Sequence, residues 1–156
     1  MSTQRSLFGA IIALLLTFGA AYVGSRFPVD DWYQALAKPS WNPPNWLFGP
    51  VWSVLYLLMA ISAWLVWKEE GLLGARIALS IFLLQLILNA AWSWLFFGLH
   101  EPLYAFIEIM VLWVAILANI ILFWRMNPIS GILLLPYLLW VSFASVLNYA
   151  LWRMNI

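Results

Sequence analysis

The sequence predicts an all-α membrane protein: a five-transmembrane-helix bundle with a long structured first loop. Three observations carry that prediction. The chain is 66% hydrophobic and only 8% charged, where roughly a quarter charged is usual for soluble domains, and its mean hydropathy is +0.95. Five stretches are free or nearly free of charge, each long enough to supply the roughly 20 apolar residues that span a bilayer core as a helix. Of twelve tryptophans among 156 residues, most lie within those stretches or at their ends, and membrane interfaces favour amphipathic rings. The spans fall at about 6–26, 46–67, 77–99, 103–124 and 129–152, in a single domain over 1–156.

Composition also excludes classes. A formal net charge of +1 without a basic patch argues against nucleic acid, whose phosphates need neutralising. With no cysteine and one histidine, His100, thiol chemistry and zinc–thiolate sites are out and a histidine metal site has little scope, so no metal or cofactor is expected.

The first span lies between Arg5 and Arg26. It exceeds a signal-peptide apolar run, and Gly24-Ser25-Arg26-Phe27-Pro28 makes a poor cleavage site, so it reads as a retained helix. Its small face, Gly9, Ala13, Thr17 and Ala21, is assigned to helix packing. The connection from Phe27 to Asn45 holds four prolines interleaved with Trp32, Tyr33 and Trp41, which shapes it rather than leaving it flexible. Asp30 or Asp31 is placed to N-cap a short helix through Ala37. Such a loop is either a lid over a bundle or an interfacial anchor.

The second span puts Trp52 and Tyr56 on one face and ends at Lys68-Glu69-Glu70. The third carries a stripe of Gln85, Asn89, Trp92 and Ser93 through an apolar helix. Amides there need partners: Gln85 reads as glue between helices, and Asn89 as glue or as a ligand contact. The fourth contains Glu108, the one acidic residue within a span and under two turns from Pro102. It is a functional candidate by position, set against a neutral acid or a hydrogen-bonded structural partner. His100 and Glu101, in the loop before it, read as solvated. In the fifth, Trp140, Ala144 and Asn148 recur every four residues on one face, beyond Pro136.

The tryptophans divide accordingly. Trp67, Trp124 and Trp152 adjoin Lys68, Arg125 and Arg153, as interfacial anchors do. Trp52, Trp92, Trp94, Trp113 and Trp140 lie deeper, where rings pack helices or line an aromatic cavity for a flat apolar ligand. Cations divide four against three between the two sides, too even for orientation to follow from charge.

Trp32-Tyr33…Leu36…Lys38-Pro39-Ser40-Trp41-Asn42-Pro43-Pro44 resembles the first-loop signature of the TspO/translocator protein family, the tryptophan-rich sensory proteins or peripheral-type benzodiazepine receptors. Gly49-Pro50-Val51-Trp52-Ser53-Val54-Leu55-Tyr56 resembles its second helix. Gln85-Leu86…Asn89…Trp92-Ser93…Phe96-Phe97-Gly98 is similar to its third, and Pro136-Tyr137-Leu138…Trp140…Phe143-Ala144…Leu147-Asn148-Tyr149…Trp152-Arg153 to its fifth. The resemblance implies a five-helix bundle, usually homodimeric, with one ligand cavity per protomer under the first loop. It implies binding of porphyrins such as protoporphyrin IX and haem precursors, of benzodiazepine-type drugs and, in mitochondrial relatives, of sterol. Carried over by position, the implied pocket comprises Tyr33, Trp41, Phe48, Trp52, Asn89, Trp92, Trp140, Phe143 and Ala144. Leu147, Tyr149 and Arg153 fit a short sterol motif that many helix ends match by chance. The chain departs from the family at the small-residue repeat of its dimer contacts on the third helix, where Ser80 and Leu84 stand.

The expectation is an integral, multi-pass receptor or translocator of tetrapyrroles in a bacterial cell membrane, inner or outer, working in transport or sensing. The alternative is a light-dependent porphyrin-degrading enzyme, with Trp52 and Trp140 as the redox-active rings. A proton-coupled carrier built on Glu108 has less support, since it lacks a buried basic partner and an inverted repeat.

Overall fold

Apolar residues on every face, with proline and asparagine confined mostly to the ends, drive nearly the whole chain into helix. In the computed structural model, which describes residues 1–156, the helices are α1 Thr3–Ser25, α2 Asp31–Ala35, α3 Asn45–Gly74, α4 Arg76–Ser93, α5 Pro102–Met126 and α6 Pro128–Met154. All but α2 are long and apolar enough to cross a membrane, with α4 continuing through a π-helical turn at Trp94–Gly98. The chain is thus an all-α, multi-pass integral membrane protein.

Local chemistry sets the boundaries. Pro102 and Pro128 stand at the first turns of α5 and α6, where a missing N–H costs nothing. Asn127 caps α6 by accepting from the N–H groups of Ile129 and Ser130 at 2.9 and 3.2 Å. Asp30 caps α2 through the Tyr33 N–H at 3.0 Å. That short helix stops at Ala35 and not Ala37, because Leu36 turns extended ahead of the Lys38-Pro39 step, and a residue before proline avoids helix. The second span runs on past Trp67 to Gly74, with its break at Gly71, whose φ of 67° suits glycine.

The five long helices close a ring: α1 packs on α3, α3 on α6, α6 on α5, α5 on α4 and α4 on α1. Half of the ring is solid. Met59, Val66, Phe82, Ile116, Phe123 and Leu134 fill the end away from the first loop, with Phe82 and Phe123 stacked at 5.8 Å. Gly9 lets the Trp67 ring approach to 3.0 Å of where a Cβ would stand, so Trp67 packs helices as well as flanking Lys68. Gly9, Ala13 and Thr17 are buried as the small-face reading expects. The outer surface carries exposed apolar side chains such as Leu15, Val114 and Leu139, which lipid covers at no cost.

Candidate functional site

The other half of the ring is hollow. A cavity of about 550 Å³ lies beneath the first loop, lined by 27 residues from all five long helices, the π-turn and the loop itself. Tyr33, Phe48, Trp52, Asn89, Trp92, Trp140, Phe143 and Ala144 all line it, and no lining residue is charged. Trp41 does not line it. Its ring is 46% exposed and stands edge-on to Phe143 at 5.8 Å, so it buttresses the wall from outside.

The π-turn supplies part of the roof. The Leu99 N–H donates to the Trp94 carbonyl at 2.8 Å, and that of Glu101 to Leu95 at 3.0 Å. The extra residue in the turn accompanies inward-facing Phe96 and Phe97, whereas Trp94 is exposed. Trp94 therefore faces lipid, against the expectation that it packs helices or lines the cavity. Phe96 stacks on Trp92 at 5.1 Å and meets Tyr33 edge-on at 6.2 Å.

The floor is polar and cross-braced. The Tyr56 hydroxyl donates to Asn89 Oδ1, Asn89 Nδ2 donates to the Tyr137 hydroxyl at 2.9 Å, and Tyr137 donates to Gln85 Oε1 at 2.7 Å. The chain ties α3, α4 and α6 together. Gln85 is fully buried and serves as glue. Asn89 braces two tyrosines, as the glue reading expects, and also lines the cavity. Trp92 Nε1 donates to Asn148 Oδ1 at 3.0 Å, and Asn148 Nδ2 to the Pro102 carbonyl at 2.8 Å, which fixes the side wall.

The loop is tied down near its start and at its middle. Asp30 Oδ2 pairs with His100 Nε2 at 2.7 Å, and the His100 ring stacks on Trp32 at 4.3 Å. His100 is thus a loop-to-loop contact whose side chain stays 38% exposed, in keeping with the solvated reading. The Tyr33 N–H, more than His100, holds the Asp30 carboxyl below its ordinary value of 3.8. Burial raises the Tyr33 phenol above its ordinary value, opposed by its hydrogen bond to Asn42. Midway along the loop the Ala37 N–H donates to Asn155 Oδ1 and Asn155 Nδ2 donates to the Ala37 carbonyl, both at 2.9 Å.

Other candidates lie elsewhere. Both Glu108 carboxylate oxygens are buried without a hydrogen-bond partner, so it is no hydrogen-bonded structural partner, and it does not line the cavity. The sterol-motif residues do not share a face: Leu147 is buried and lines the cavity, whereas Tyr149 and Arg153 are exposed. Tyr149 packs on Trp152 at 5.8 Å and Arg153 lies over that ring at 5.7 Å, as an interfacial anchor would. No three of His, Asp and Glu come together as a metal site would require. Sequence reasoning missed the contribution of α1: Phe18, Ala21, Gly24 and Ser25 line the cavity. Their spacing marks one helix face, but only the hollow tells Ala21 from the packing residues below it.

Fold and site together define a class: multi-pass membrane proteins with a lidded, aromatic cavity inside a five-helix ring. Residues 10–153 match the family model described as TspO/MBR family, and the chain belongs to that family. It is 38% identical to the tryptophan-rich protein TspO of Chlorobaculum tepidum over 99% of both chains. It is 40% identical to the translocator protein of Homo sapiens, over 86% of this chain and 82% of that one. With the tryptophan-rich sensory protein of Cereibacter sphaeroides it shares 37% over 92% of each.

Proposed function

We propose that the protein binds a flat, apolar ligand of the tetrapyrrole class in this cavity, as a receptor or carrier in a bacterial membrane. The observation that carries the reading is an uncharged cavity walled by Trp52, Trp92, Trp140 and Phe143 over a floor of Asn89 and Tyr56. Its volume of about 550 Å³ falls in the roughly 300–1,000 Å³ range of small-molecule sites. Each ring stacked on a macrocycle adds about 0.5–1.5 kcal/mol beyond burial. Asn89 supplies the polar contact that orients the ligand. Relatives bearing the names translocator and sensory protein support transport or sensing as the use of that binding. Benzodiazepine-type drugs suit the same aromatic walls. A sterol is a weaker candidate, resting on Tyr149 and Arg153 at the outer surface, and a homodimer would use a face the ring leaves exposed.

A second reading has its own support. Trp52 lies 5.6 Å from Tyr56 and 6.1 Å from Tyr137, so an oxidisable ring on the cavity wall is backed by two more. Light-driven breakdown of a bound porphyrin, with dissolved dioxygen as the oxidant, would draw on Trp52 and on Trp140. One experiment separates the two readings. Purified protein is titrated with protoporphyrin IX in the dark, following tryptophan quenching, and then illuminated, alongside Trp52→Phe, Trp140→Phe and Asn89→Ala. Saturable binding that weakens in the variants, with an unchanged porphyrin spectrum in light, supports the receptor. Light-dependent loss of that spectrum only with both tryptophans intact supports the enzyme. No saturable binding rejects both.

A further inference from the structure

The path between cavity and exterior is written in how α1 leans. Near its start, α1 packs on α3: Trp64 Nε1 donates to the Ser6 carbonyl at 2.9 Å, and Gly9 receives the Trp67 ring. The contact persists up to Phe18, whose ring lies 6.3 Å from that of Tyr56. Beyond Phe18 the helix leans on the α4 side instead. A Cβ on Gly24 would meet Ser93 Oγ at 3.4 Å, and the Phe27 ring crowds Gly98 at 2.9 Å from its Cβ position.

The antiparallel register that pairs Phe18 with Tyr56 sets Ala21 and Ser25 opposite Ser53 and Gly49. These four small residues line the cavity, and Ser25, Gly49 and Ser53 are also exposed. Nothing approaches within 4 Å of a Cβ built on Gly49. The wall between the upper half of α1 and the first turns of α3 is therefore thin and open.

Depth decides where the opening leads. Phe18 lines the cavity and is 41% exposed, and it shares the outer face of α1 with Ile11, Leu14 and Leu15. It lies seven residues before the end of α1 at Ser25, or about 10 Å into the span at 1.5 Å per residue. The opening thus reaches hydrocarbon depth. The loop, by contrast, is held at Asp30 and at Ala37 and stiffened by its prolines.

Resting on the binding function proposed above, we infer that the ligand passes between the cavity and the bilayer sideways, through a portal between α1 and α3, while the first loop stays shut. An apolar ligand concentrates in the membrane, so this route spares it a passage through water. Ala21, Ser25, Gly49 and Ser53 then set the size of what passes.

The absence of cysteine allows a direct test with two staples, each closed by a short flexible bis-maleimide and verified by mass. One carries Ala37→Cys with Asn155→Cys, across the loop clamp, and the other Ala21→Cys with Ser53→Cys, across the portal. Association of protoporphyrin IX with protein in phosphatidylcholine nanodiscs is followed by stopped-flow tryptophan quenching. Each stapled protein is compared with its own unstapled form, which removes any effect of the substitutions. The portal staple is expected to slow association by at least about tenfold, and the loop staple by less than about threefold. The opposite ranking overturns the portal while leaving the binding site in place. Equal, small effects from both staples overturn it too. Absence of saturable binding to the unstapled proteins and wild type overturns the binding function and the portal together.

Discussion

Asn89 shows how one residue braces three helices and lines the cavity at once. It is buried, receives a hydrogen bond from Tyr56 and donates one to Tyr137. Asn89→Ala strands the Tyr56 hydroxyl, while Tyr137 keeps its bond to Gln85, and a stranded buried group costs about 1–3 kcal/mol. The expected outcome is lower resistance to detergent unfolding together with weaker porphyrin binding. Trp140→Phe, whose indole has no such buried partner, is expected to weaken binding while leaving unfolding nearly unchanged. Two glycines make a second contrast. A Cβ on Gly131 would stand 2.8 Å from the Trp124 Cβ and 3.1 Å from its backbone Cα, so Gly131→Ala forces α5 and α6 apart. Overpacking of this kind costs about 1–3 kcal/mol. A Cβ on Gly19 meets nothing within 4 Å, and Gly19→Ala gains about 0.5–1 kcal/mol of helix stability. Thermal unfolding of the two variants side by side, one lowered and one raised, checks both.

Among the elements, the first loop depends most on local polar chemistry. Asp30 holds the Tyr33 N–H through one oxygen and His100 through the other. Its folded pKa is lowered, so its contribution is complete above the ordinary value of 3.8 and is lost as pH falls through the lower folded value. Protection of the Tyr33 amide, taken relative to its intrinsic exchange rate at each pH, is therefore expected to hold steady down to about pH 4 and to fall below it. At neutral pH Asp30→Asn, which still caps, keeps that protection, and Asp30→Ala loses it. The elements differ in how plainly the sequence announces them. The long spans are legible from hydropathy alone, because lipid rewards apolar surface on every side and charges such as Arg5, Lys68 and Arg125 fall at their margins. Their ends are less so: α3 continues through Lys68, Glu69 and Glu70, since charged residues sit comfortably on a helix once it leaves the hydrocarbon. The π-turn at Trp94–Gly98 left no trace in the periodicity, yet it separates inward Phe96 from outward Trp94. The site's aromatic and amide stripe was legible from four-residue spacing. Trp41 was misplaced because motif position does not tell the inner side of a wall from the outer, and the His100 contact joins residues 70 apart in the chain.

The whole molecule is a ring closed tightly at one end and left hollow at the other. Spans 3 and 4 pack through Phe82 and Phe123 at the solid end, and Ser62 reaches the Ser130 carbonyl across α3 and α6 at 2.8 Å. None of those residues lines the cavity. The hollow end spends close packing on a site, so a bound ligand restores to it the contacts that the other end already makes. A ligand that binds only the folded state stabilises it by about 2.7 kcal/mol at a hundred times its dissociation constant. That gain should be unevenly distributed. With saturating protoporphyrin IX, hydrogen exchange is expected to slow in the first loop, the start of α3, the π-turn and the C-terminal half of α6. Exchange around Val66, Ala78 and Phe123 should barely change. Uniform slowing throughout the chain would mean that the two halves unfold as one unit, and slowing confined to lipid-facing segments would place the porphyrin on the outside of the ring.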